Sequence, residues 1–259
     1  MSSFDRNNQT PYAVAGRYAD AGIDQGLRSY MLGVYNYMTI GLAITGLFAL
    51  GVANFAVTQD PSQAAGQMGD TLLTQLGVLL YGSPLQWVVM LAPLGMVMFL
   101  SFRIQSMSAS TAQITFWVYA AVMGVSLSSI FLVYTGGSIA RVFFITAVSF
   151  GALSLFGYTT KKDLSAWGSF LFMGLIGIVL ASIVNIFLAS SAMQFAISVI
   201  GVLVFAGLTA YDTQQIKEMY YAGDDSEVAA KKSIMGALRL YLDFINLFLM
   251  LLQLFGNRE

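Results

Sequence analysis

Two aspartates stand where a charge costs most. Asp212 ends a run of 48 residues, 164–211, without a formal charge, and Asp243 lies about two turns into the otherwise apolar stretch LRLYLDFINLFLMLLQLFG. A carboxylate buried in hydrocarbon needs a partner, a proton or water. The chain has no His and no Cys, which removes Ser/His triads, thiol nucleophiles, disulfides and the two commonest transition-metal ligands. What remains is oxygen chemistry. Two carboxylates in contact cannot both ionise cheaply, so they share a proton and titrate as a unit. Without the proton they need a cation, and hard oxygen ligands suit Ca²⁺. Asp212 and Asp243 are therefore both the candidate pH sensor and the candidate metal ligands.

Four other residues bear on the pair. Arg103 closes the apolar stretch MVMFLSFRIQSMS and is the only charge between Asp70 and Arg141. It reads either as an interfacial anchor or as a latch that ion-pairs with one aspartate. Arg239 precedes Asp243 by four residues, so the two can meet on one helix face. A local Arg239–Asp243 pair would satisfy both charges and leave Asp212 alone. Asn246, three residues beyond Asp243, can add a neutral oxygen. Asn185 is another polar residue at depth, and either Asn can equally brace helices.

The elements that must position these residues follow from where charge is missing. Hydrophobic residues make up 57% of the 259 and charged residues 10%, with a mean hydropathy of +0.72. Soluble domains carry about a quarter charged residues, so a soluble enzyme and a disordered chain are excluded. A net charge of −1 with no basic stripe argues against a nucleic-acid partner. Residues 29–59, 71–102, 104–140, 142–160 and 164–211 carry no formal charge. A spanning helix needs ~20 apolar residues. The longest run breaks at Ser190-Ser191, and seven spans result: about 30–57, 85–102, 114–134, 140–158, 167–188, 192–216 and 234–255. The chain is thus expected to be an all-α integral membrane protein, a seven-transmembrane-helix bundle. Residues 1–28 are polar and read as a flexible cytoplasmic tail, with 29–259 as the transmembrane domain. The segment 71–81 is too short to span and reads as a short surface helix or a plain loop.

Orientation follows from Lys and Arg. With the N-terminus in the cytoplasm, the inner side holds Arg6, Arg17, Arg28, Arg103, Lys161, Lys162, Lys217, Lys231 and Lys232, and the outer side Arg141 and Arg258. Seven crossings put the C-terminus outside; a re-entrant last segment would put it inside. Spans 6 and 7 run antiparallel about one cytoplasmic loop. Asp212 then lies ~15 Å and Asp243 ~20 Å from that side, a depth that lets them touch.

The stretches ITAVSFGALSLFGYTTKKDLS (145–165), AYDTQQI (210–216) and LYLDFINLFLMLLQLFG (240–256) resemble the Bax inhibitor family, the transmembrane Bax-inhibitor-motif proteins. With the spans, the resemblance covers about residues 28–256. It implies a bundle with the last helix central, and a paired-aspartate pH sensor in which Asp212 and Asp243 match the aspartates of the sixth and seventh helices. It also implies that Arg103 is the second-helix arginine that latches to the sixth-helix aspartate. Bacterial members are linked to pH-dependent Ca²⁺ leak, and one branch to restraint of a membrane-anchored AAA protease. Eukaryotic relatives are linked to suppression of cell death. Gln253 and Arg239 depart from the family's pattern, in which a basic and a small polar residue are common.

The leading expectation is a passive pH-sensitive calcium leak channel of the inner (plasma) membrane. Its partners are the lipid bilayer, Ca²⁺ and protons, and it has no cofactor beyond the transported ion. The alternative is an interaction protein that modulates a membrane-anchored AAA protease or a stress or cell-death response. An intramembrane aspartyl protease is excluded on motif. Tyr211-Asp212 resembles its first motif, but Asp243 is preceded by Leu240-Tyr241-Leu242 in place of Gly-x-Gly, and Ala92-Pro93-Leu94 stands in place of Pro-Ala-Leu. No enzyme activity is expected.

Overall fold

The computed structural model describes residues 11–258, with side chains from residue 25 onward. Helix α1 runs Pro11–Ala56. After it come three short strands, β1 (Val57–Thr58), β2 (Gly66–Met68) and β3 (Thr71–Leu73), and the two-turn helix α2 (Gln75–Tyr81). The remaining helices are α3 (Leu85–Arg103), α4 (Ala109–Leu127), α5 (Gly136–Thr159), α6 (Ser165–Leu188), α7 (Ser191–Glu218) and α8 (Ser226–Phe255). All but α2 are long and apolar enough to cross a membrane, seven among the described residues. Each matches one of the seven expected spans. The first ten residues of the expected tail lie outside the described residues, and α1 takes in the rest.

Local chemistry sets the starts of these helices. The hydroxyls of Ser108, Thr135 and Ser190 accept the first free amides of α4, α5 and α7, and the Asp225 carboxylate accepts Val228 N of α8 at 2.8 Å. The break at Ser190 is the α6–α7 turn. There Ala189 adopts a left-handed conformation, with φ of 47°, a strained choice for a residue with a Cβ. Asn185 holds it: its carbonyl accepts Ala189 N at 2.8 Å and its side-chain oxygen accepts Ser190 N at 3.1 Å.

Helix α8 is the axis of the bundle. In its most apolar window 67% is buried, against 39% in α7 and 11% in α3. It packs on α1, α4, α5 and α7, while α6 lies outside α7, and α3 lies against α2 and α4. The outward sides of α5 and α6 carry large apolar residues such as Phe144, Val148, Phe170 and Phe187, a surface suited to lipid. Close helix approach rests on small residues. At Gly157 of α5, an added Cβ would run into the carbonyl of Ala210 on α7.

The two ends of α8 lie on opposite faces of the bundle. Near its start, Lys231 donates to Met107 O in the α3–α4 connection at 3.3 Å, and Lys232 donates to Met219 O at the end of α7 at 3.0 Å. Beyond its end, Asn257 O accepts Thr135 N at 3.1 Å, Asn257 N donates to the Ser138 hydroxyl at 2.9 Å, and Arg258 stacks 5.8 Å from the Tyr134 ring centre. Those partners belong to the α4–α5 connection and the first turn of α5, one crossing away. Helix α8 therefore traverses the bundle, and the re-entrant alternative is not the arrangement found. At ~45 Å it is also longer than the ~30 Å hydrocarbon core.

The segment 57–81 folds on the Asn257 face. Its strands form an antiparallel sheet in the order β1-β3-β2, and Tyr81 of α2 bonds Ser128 at 2.7 Å. Segment 71–81 is neither a helix throughout nor a plain loop: three residues of strand precede a seven-residue helix, because Thr74 follows β3 and caps α2.

Candidate functional site

The core fixes the rotation of α8. The Tyr241 hydroxyl meets the Thr45 hydroxyl of α1 at 2.6 Å, and the Tyr241 ring packs edge-on against Phe116 and Tyr119 of α4. Two residues on is roughly 200° round the helix, so Asp243 points the other way, towards α7. Helix α7 is fixed in turn by Thr213, whose hydroxyl lies 2.9 Å from Ser154 of α5. Ser154 also meets the Tyr35 hydroxyl of α1 at 2.6 Å. At the near end, Gln214 clamps the α5–α6 connection, donating to Lys162 O and accepting from Leu164 N, both at 2.8 Å. Lys217 donates to Tyr158 O at 2.9 Å. The motif strings GYTTKKDLS and AYDTQQI thus bind each other, and the clamp sets the depth of Asp212.

Between these anchors the carboxyls of Asp212 and Asp243 come within hydrogen-bonding reach of one another. Asp243 is 5% exposed, and its Oδ2 has no donor among the described residues. The carboxyl in reach of it can accept but not donate unless protonated. A proton held between the two would supply the missing donor.

The pair opens on a cavity of about 600 Å³ between α6, α7 and α8. Apolar walls come from Phe172, Leu175, Phe205 and Leu208, and the polar lining includes Arg239 and Asn246. Gly168 on α6 leaves room for the Tyr211 ring, which an added Cβ would strike. Arg239 is close enough for its charge to act on both carboxyls, yet it forms no ion pair among the described residues. The ion pairs among the described residues are Lys232–Asp224 at 2.5 Å and Lys231–Glu227 at 3.5 Å.

Arg103 is not brought to the aspartates. It is exposed at the end of α3, without an ion pair among the described residues, because α3 packs on α2 and α4 at the bundle's edge. The cation beside the pair is Arg239, and it serves both carboxyls rather than Asp243 alone. Asn246 belongs to the site and donates its amide to Leu242 O at 2.8 Å. Asn185 does not. It lies ~20 Å further along α6 than Phe172 and donates to Gln194, which reaches Gln253 at 2.6 Å; Ser198 donates to the same Gln253 oxygen at 2.8 Å. That chain braces α6, α7 and α8 at their far ends.

Among the described residues, no three acidic groups gather as a metal site. Two carboxylates and one amide fall well short of the six to eight oxygens Ca²⁺ takes. Most ligands of a bound ion would be water, which suits transient binding rather than storage. Elsewhere, hydrogen bonds from the Ser62 side chain and amide hold Asp60 below the ordinary carboxylate range, and the Ser165 amide does the same for Asp163. Both loop carboxylates therefore stay ionised through the neutral range.

Neither the α6 wall at Gly168 nor the Tyr35–Ser154–Thr213 chain carries a signal in the sequence. Ser154 sits in FGALSLFG, a string whose small residues read as packing.

The family profile described as "Inhibitor of apoptosis-promoting Bax1" matches residues 27–259. The chain is 50% identical to the inner membrane protein YbhL of Escherichia coli, over 90% of its length and 94% of the relative's. It is 49% identical to a protein of Rickettsia prowazekii, over 91% of its length and 92% of the relative's. A protein of Caulobacter vibrioides is 45% identical over the whole of both chains.

Proposed function

The chain belongs to the Bax inhibitor family, and from that premise we propose that it is a passive, pH-sensitive calcium leak in the inner membrane, governed by a proton shared between Asp212 and Asp243. The observation that carries this reading is the approach of two carboxyls inside the helix bundle, one with a buried oxygen that has no donor among the described residues. A proton satisfies that oxygen. A cation replaces the proton when it leaves, so the two compete and acidification weakens Ca²⁺ binding. Arg239 sets the balance. Two ionised carboxylates beside one guanidinium leave a net charge of −1; with one proton bound the site is neutral and holds a divalent ion poorly. Asn246 supplies an amide beside the pair. Arg103 anchors α3 at the inner face, where the positive-inside count places it, and the N-terminus is cytoplasmic in this reading.

The test is Ca²⁺ flux into proteoliposomes across a pH range. Flux that varies with pH in the natural chain, and loses that variation in Asp212→Asn and in Asp243→Asn, is the expected result. An unchanged pH profile in both variants defeats the proposal. Absence of flux at every pH would leave the family's other role, modulation of a membrane partner, as the reading to pursue.

A further inference from the structure

A second cavity, of about 1260 Å³, shares no lining residue with the one at the aspartates. It is a cleft between α1 and α5, with Phe244 of α8 lining it between them and the Tyr35–Ser154 hydrogen bond crossing it. Its walls are apolar over most of their length, from Met31 to Leu47 on α1 and from Phe143 to Leu155 on α5. Gly46 and Gly151 line it, and a Cβ added at either would meet nothing within 4 Å. The one charged residue of the lining, Arg28, sits at the end where Tyr158 closes the cleft. Lys217 lies 5.3 Å over the Tyr158 ring, and the next connection carries Lys161 and Lys162 with Asp163. Arg28 is exposed and has no ion pair among the described residues.

An apolar trough with a cation at one end is complementary to an amphiphile whose head is an anion. Met31 to Leu47 spans ~24 Å of helix, enough for the ~15 Å depth of one hydrocarbon leaflet. A guanidinium matches a phosphate in geometry as well as charge, by paired N–H donors. We propose that this cleft is a binding site for one anionic phospholipid, with an acyl chain laid between α1 and α5 and the headgroup phosphate on Arg28.

The test is native mass spectrometry of the full chain in detergent with phosphatidylglycerol or phosphatidylcholine added in equal amounts. One retained phosphatidylglycerol, preferred over phosphatidylcholine by on the order of tenfold, is expected. Arg28→Ala should abolish the preference. Gly151→Leu should reduce retention of both lipids, since its side chain fills the open trough without a clash. Gly177→Leu on α6, also in open space but outside the cleft, should retain lipid as the natural chain does. Equal retention of the two lipids, retention unchanged in Gly151→Leu, or a lipid-free dimer that places a second copy in the cleft would overturn the proposal.

Discussion

At the scale of the residue, the site is two acidic groups and one basic group at unequal depths of burial. Asp243 is enclosed, whereas Arg239 is exposed to the cavity it shares with the pair. Removing the guanidinium charge with Arg239→Gln makes the ionised pair more negative. Where the pair is ionised, Ca²⁺ affinity should then rise by on the order of tenfold, about 1.4 kcal/mol, and because the proton is held more tightly too, its competition should set in at higher pH, as read by flux or ion titration. A variant that binds Ca²⁺ no better would remove Arg239 from the site. Asn185→Ala is the complementary case. It frees Ser190 N and Gln194, so it should lower stability by roughly 1–3 kcal/mol while leaving the pH profile of flux unchanged. The aspartates were legible because each interrupts a long uncharged run. The choice between Arg103 and Arg239 was not. A span-end arginine looks the same whether its helix packs centrally or at the edge, and packing order is not written in one chain's hydropathy.

At the scale of the element, helix existence followed from the uncharged runs, whereas the starts of α4, α5 and α8, set by the caps Ser108, Thr135 and Asp225, lie five, four and eight residues before the expected ones. Segment 71–81 resisted the same reading because one threonine both ends a strand and starts a helix, and so few residues show no period. The contact between α5 and α7 at Gly157 carries a sharper consequence. Gly157→Val places side-chain atoms against the Ala210 carbonyl, which cannot rotate away. The helices must separate, at a cost of roughly 1–3 kcal/mol or more. Because α7 carries Asp212, thermal stability in detergent and the pH dependence of flux should fall together. Loss of stability alone, with the profile intact, would uncouple the α5–α7 contact from the site.

At the scale of the molecule, α8 crosses from the face of Met107 and Met219 to the face of Thr135 and Ser138. The central place of α8 was implied by the family resemblance; its complete crossing was open, because hydropathy cannot tell a span from a re-entrant hairpin. The sidedness in the cell is testable because the chain has no Cys of its own. A single cysteine at Asn257 should react with a membrane-impermeant maleimide in intact spheroplasts, and one at Asp163 should react only after lysis. The reverse pattern would invert the proposed orientation.

The exchange of one shared proton for Ca²⁺ is measured most directly by titrating the purified protein with Ca²⁺ in buffers of different ionisation enthalpy. Where the pair holds its proton, the heats should report about one proton released per Ca²⁺ bound by the natural chain. They should report none in Asp212→Asn or Asp243→Asn. Ca²⁺ bound without proton release, or the same release in either variant, would contradict it.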